Sequence, residues 1–150
     1  MSILTRAMLL GLATGGRSSL GLAALAATAE RDAGSVLSSR WSARLAGLVA
    51  AAELIGDKLP QAPSRLEPRG LIPRLGLGVV GAAMLAHREG NSRSRTVLAA
   101  GLGLAGAAAG SRLGARWRTE ATAKFGSRLP PAVLEDLVCL STAGYATRGR

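Results

Sequence analysis

Seven ionisable residues sit inside or at the ends of runs of Ala, Leu, Val and Gly: Arg17, Glu53, Asp57, Lys58, Arg112, Glu135 and Asp136. Glu53 and Asp57 are four apart, so a helix places both on one face with Lys58 beside them. Pro60 then ends that helix near Leu59. An ionised side chain at the centre of a membrane helix costs roughly 2.5 to 3.5 kcal/mol, so such groups turn into the bundle and pair with one another. Arg17 and Arg112 are the cations expected to answer the four acids, with Lys58 as a third. The expectation is therefore surplus acid in a low-dielectric interior, with a carboxyl able to exchange a proton or bind a cation. That is transport chemistry. The competing reading puts the same charges at helix ends, among headgroups and water, where they only fix helix depth.

Other chemistry has weaker support. His87 is the only histidine, Cys139 the only cysteine, and the chain has no metal-ligand spacing. Nothing distinguishes a nucleophile among Ser18, Ser19 and Ser64. The stretch Gly11 to Ser18 lacks the Gly-Lys-Ser/Thr order of a phosphate loop and the strand before it. Neither an enzyme nor a resident cofactor or metal is expected. The net charge of +10 suits anionic headgroups. Nucleic acid fits poorly, because no basic helix with interleaved aromatics and no stacking platform is present.

The elements that must position these groups are helices built of small residues. The chain of 150 residues is 48% hydrophobic but only 3% aromatic, with 20 glycines. A core buried from water draws most of its driving force from large side chains. Helices in lipid can be held by close backbone approach through Gly and Ala instead. A single integral membrane domain over residues 1–150 follows, with four to five spans.

The first segment runs from about Ile3 to Ala29, with Arg17 in its middle and Gly15-Gly16 before it as a break, giving a discontinuous helix with an arginine at the interruption. Because Arg17 interrupts the run, it does not read as a cleaved signal. A polar connector from Glu30 leads to Trp41. Segment two runs from Ser42 to Leu59, and the proline-rich stretch Pro60, Pro63, Ser64, Arg65 reads as an extended loop. Segment three starts near Leu71, repeats Gly78, Ala82 and Ala86 at four, and stops at His87 to Asn91. Segment four, Thr96 to Ser111 and on to Trp117, carries the stripe Gly106, Gly110, Gly114, a surface for a second backbone and a route to a homo-oligomer. A basic loop, Arg118 to Leu129, precedes segment five, which opens at Pro130-Pro131 and runs to Thr147. The glycine-rich pieces around Gly11 and Gly103, each followed later by a helix with acids, form a weak internal repeat. Lys and Arg are near balance between the two sides, so the orientation is undecided.

Gly11-Leu12-Ala13-Thr14-Gly15-Gly16-Arg17-Ser18, Asp57-Lys58-Leu59-Pro60 with Pro63-Ser64-Arg65, and Glu135-Asp136 resemble the small bacterial membrane proteins known as domain of unknown function 4126. Most of the chain takes part, from about Leu9 to Leu140. Where that family has a proline after the Arg-Ser, this chain has Ser19-Leu20-Gly21. The resemblance implies a multi-spanning helical protein of the bacterial cytoplasmic membrane, without an established activity. The leading expectation is a small transporter-like or channel-like protein. The alternatives are a structural or interaction membrane protein without transport, and a soluble basic helical binding domain.

Overall fold

A computed structural model describes residues 1–28, 40–56, 67–127 and 129–148, without the side chains of residues 40, 42, 43 and 53–56. Among these residues the chain is entirely helical: α1 (Ile3–Gly16), α2 (Leu20–Thr28), α3 (Arg40–Gly56), α4 (Pro68–Arg88), α5 (Arg93–Phe125) and α6 (Leu129–Arg148). Local chemistry accounts for several of the ends. Ser2 and Ser92 cap α1 and α5 by accepting from the backbone N–H of Thr5 and Arg95. The turn after α4 uses Gly90 at φ +69°, and α5 stops at Gly126 at φ +63°, a left-handed cap that glycine adopts without strain.

The first segment does break after Gly15-Gly16, but its halves do not form one span. The Arg17 N–H still bonds the Ala13 carbonyl, and the chain then turns through Ser18 and Ser19 into α2. α2 folds back beside α1. Gly21 lies against the Thr14 side chain, and Leu10 and Leu25 share one buried cluster with Leu85. The start of α1 and the end of α2 therefore lie at the same end of the molecule. Arg88 donates there to the Leu25 carbonyl and the Thr28 hydroxyl at the end of α2, and to the Thr147 carbonyl. From the start of α1, Arg6 donates to the carbonyls of Ala146 and Thr147 and pairs with Glu89 at 2.5 Å. The first 28 residues thus form a helical hairpin whose tip, at Arg17, is carried into the bundle.

Small residues decide how the bundle packs. α1 runs parallel to α5, and their backbones touch: a Cβ on Gly11 would overlap the Gly103 carbonyl, one on Gly106 the Met8 carbonyl, and one on Gly110 the Leu12 carbonyl. α4 returns antiparallel to α5, with Gly78 against Gly103 and Ala107. The Gly106, Gly110, Gly114 stripe is buried inside one chain. Its first two glycines are taken up by α1 of the same chain. The expected loop from Arg118 is also corrected, since helix continues to Phe125. That makes α5 33 residues long, about 50 Å at 1.5 Å per residue.

Among the described residues two helices, α4 and α5, are long and apolar enough to cross a membrane, with mean hydropathies of 1.4 and 1.3. α1 is apolar but only 14 residues long, about 21 Å against a hydrocarbon core of about 30 Å. Against the four to five spans expected, two helices among the described residues meet the length and apolarity required. Large hydrophobic side chains are turned outward, among them Leu48, Ile72, Val97, Leu113 and Val138, while the buried hydrophobics are mostly alanine.

Candidate functional site: a buried arginine and carboxylate cluster at the hairpin tip

The site begins with the glycines that let Arg17 in. Gly15 lies against α5, where a Cβ would overlap the Ala107 carbonyl, and Gly16 lies against Cys139 of α6. With no side chains to hold the helices apart, the C-terminal end of α1 sits between α5 and α6, and the next residue, Arg17, is fully buried. Its Nε donates to Asp136 Oδ1 at 2.6 Å, and its Nη2 pairs with the same oxygen.

The carbonyls at the end of α1 have no partner within their own helix and need donors from outside it. Gly15 O accepts from Arg74 Nη1 at 3.2 Å and from the Ser111 hydroxyl at 3.2 Å. One backbone oxygen thus joins α1 to α4 and α5. The partial negative charge at the end of a helix favours a cation there, which suits both Arg17 and Arg74. A second ion pair lies next in sequence, where Arg118 Nε donates to Glu135 Oε2 at 2.8 Å. One turn earlier on α6, the Pro131 carbonyl accepts from the Trp117 indole at 3.1 Å.

Among the expected residues, the structure brings together Arg17, Asp136 and Glu135. Arg112 is exposed on α5, and the neighbouring cation that meets a carboxylate is Arg118. The Glu53 side chain, together with Asp57, Lys58, Pro60, Pro63, Ser64 and Arg65, lies outside the described residues. The expected surplus of acid is not found among the described residues. There the buried charges are Arg6, Arg17 and Arg74 against Glu135 and Asp136, each less than a tenth exposed.

Arg6, Arg74 and Arg118 were not singled out by sequence reasoning, although the pattern held a signal for two of them. Arg74 precedes Gly78, Ala82 and Ala86 by one step of four, and Arg118 follows Gly106, Gly110 and Gly114 by the same step. Each stripe of small residues marks a buried face, and each arginine is the next residue on that face. Compared with protein-family models, curated proteins and solved structures, the chain gives no match.

Proposed function

We propose that the chain is an integral membrane protein of transporter-like or channel-like type, with the hairpin tip as its working site. The observation that carries this reading is buried charge beneath outward-facing aliphatic side chains. Arg6, Arg17, Arg74, Glu135 and Asp136 are buried, while Leu48, Ile72, Val97, Leu113 and Val138 are each more than half exposed. In water that arrangement forfeits the hydrophobic driving force on the outside and pays for desolvated charge within. In hydrocarbon the outward Leu, Ile and Val are at home, and paired charges belong inside. Two helices of spanning length are consistent with it. Multi-pass insertion in a bacterial cytoplasmic membrane, and membership of the domain of unknown function 4126 family, are parts of the same proposal.

The transport element rests on the hairpin. Non-helical backbone at membrane depth is tolerated where protein or a polar cavity surrounds it, and interrupted helices are a common way to build a substrate or ion site. Here the interruption carries Arg17 to Asp136. No catalytic step is proposed for any residue.

A second reading, a membrane protein that only scaffolds, draws on the pairing itself. Asp136 and Glu135 each meet an arginine, as a static network would require. Proton flux into liposomes separates the two. Wild-type protein is expected to exceed empty vesicles, and Asp136→Asn to lower the excess about tenfold or more, the scale of effect when a positioned proton carrier is removed. Equal flux from wild type, variant and empty vesicles leaves the scaffold. Recovery of the protein in the soluble fraction without detergent removes both.

A further inference from the structure

Along the outer side of α1, α5 and α6 runs an open groove of ≈ 540 Å³, lined chiefly by Leu9, Leu12, Leu113, Leu134 and Val138, with Trp117 and Glu135 also in its wall. Its volume is within the range of small-molecule sites, and its lining is almost wholly apolar. Toward the C-terminal end of α5 the chemistry changes. Arg118 reaches the groove wall through its bond to Glu135. Lys124, exposed in the last turn of α5, is seven residues beyond Trp117, so it lies on the same helix face about 10 Å further along. From residue 116 to residue 128 the chain carries Arg116, Arg118, Lys124 and Arg128, and the acids beside them are Glu120 and, in the groove wall, Glu135.

We propose that this groove is a binding site for an anionic phospholipid, with an acyl chain along Leu113, Leu134 and Val138 and the phosphate at Arg118 and Lys124. The inference rests on the membrane reading above and adds a ligand to it. Three features select this occupant. The length of the groove is apolar, which suits a hydrocarbon chain rather than a soluble metabolite. Trp117, an amphipathic ring with its N–H bonded to the Pro131 carbonyl, lies between the apolar length and the cations, as aromatic residues do at headgroup level. The cations outnumber the acids, and clustered Lys and Arg at a membrane boundary recruit anionic headgroups. Glu120, and Glu135 through its pair with Arg118, temper this field without cancelling it.

Trp117 is also the reporter. The chain has two tryptophans, and Trp41 on α3 is largely exposed, so Trp41→Phe leaves Trp117 alone in the full-length protein. The variant is reconstituted into phosphatidylcholine vesicles holding a small, fixed fraction of chain-brominated lipid, either phosphatidylglycerol or phosphatidylcholine. Quenching by the anionic lipid is expected to be about fivefold greater at equal mole fraction, the enrichment that about one Lys or Arg at a membrane surface produces. Adding Lys124→Gln and Arg116→Gln, both exposed and with helicity checked by circular dichroism, should at least halve that ratio. Equal quenching by the two lipids overturns the proposal, as does an unchanged ratio in the charge variants. Absence of quenching from protein that is in the vesicles also overturns it, since the groove is then covered by something other than lipid. Protein that fails to enter the vesicles refutes the membrane reading itself, an outcome distinct from the others.

Discussion

At the scale of single residues, the molecule turns on a charge that exists only because its neighbour exists. Arg17 is fully buried, and Asp136 is its described carboxylate partner. Removing one member of a buried pair leaves the other desolvated and unmatched, at a cost of about 3 to 5 kcal/mol, whereas replacing both by apolar groups is often nearly neutral. Arg17→Met and Asp136→Leu should therefore each destabilise the protein strongly in detergent, and the double variant should recover most of the loss. Unfolding followed by circular dichroism across the double-mutant cycle measures this, and additive single effects would show that the pair is not coupled. Gly15 illustrates a different economy of means. Its carbonyl takes donors from α4 and α5 together, so a glycine with no side chain fixes three helices relative to one another.

At the scale of elements, glycine has two roles in α5 that the sequence alone does not separate. A Cβ on Gly106 would overlap the backbone of α1, while one on Gly101 would meet open space. Gly106→Ala should force α1 and α5 apart and cost about 1 to 3 kcal/mol. Gly101→Ala should gain up to about 1 kcal/mol from helix propensity. Thermal unfolding of the two variants, shifted in opposite directions, tests the packing, and a shared direction contradicts it. The existence of helices, the break after Gly15-Gly16 and the burial of the 106/110/114 stripe were all legible, because each depends on residue type at short range. What covers the stripe was not. A row of small residues states that some backbone comes close, and says nothing about whether that backbone is α1 of the same chain or a helix of another. Arg17 is the cation the sequence points to, but the second is Arg118 rather than Arg112 for a related reason: the apolar run ends before Arg118, while the helix and its small-residue face continue one step further.

At the scale of the whole molecule, the sequence conveyed an all-helical chain with an apolar exterior, and it missed the direction of the first segment. Apolar length across residues 3 to 29 suffices for a span only if the two halves are collinear, and nothing in the local pattern says that they are not. Turning back requires contacts from α2 to α4 and α6 that lie far apart in sequence, such as Arg88 with Thr28. The hairpin makes a topological prediction. In a Cys139→Ser background, single cysteines at Ser2 and Ala27, both exposed, should be labelled by a membrane-impermeant maleimide from the same face of the vesicle. A continuous first span would place them on opposite faces, and labelling of that kind would falsify the hairpin.

The contact between Arg17 and Asp136 spans 119 positions of the chain. A ribosome adding about 5 to 20 residues each second needs roughly 6 to 24 s to make that stretch. Throughout this interval the guanidinium has been synthesised and its carboxylate has not, so the hairpin tip cannot be seated as it is synthesised. The socket is therefore closed only when α6 has been made, and Arg17 acquires its carboxylate after α1, α4 and α5 are already available to pack on one another.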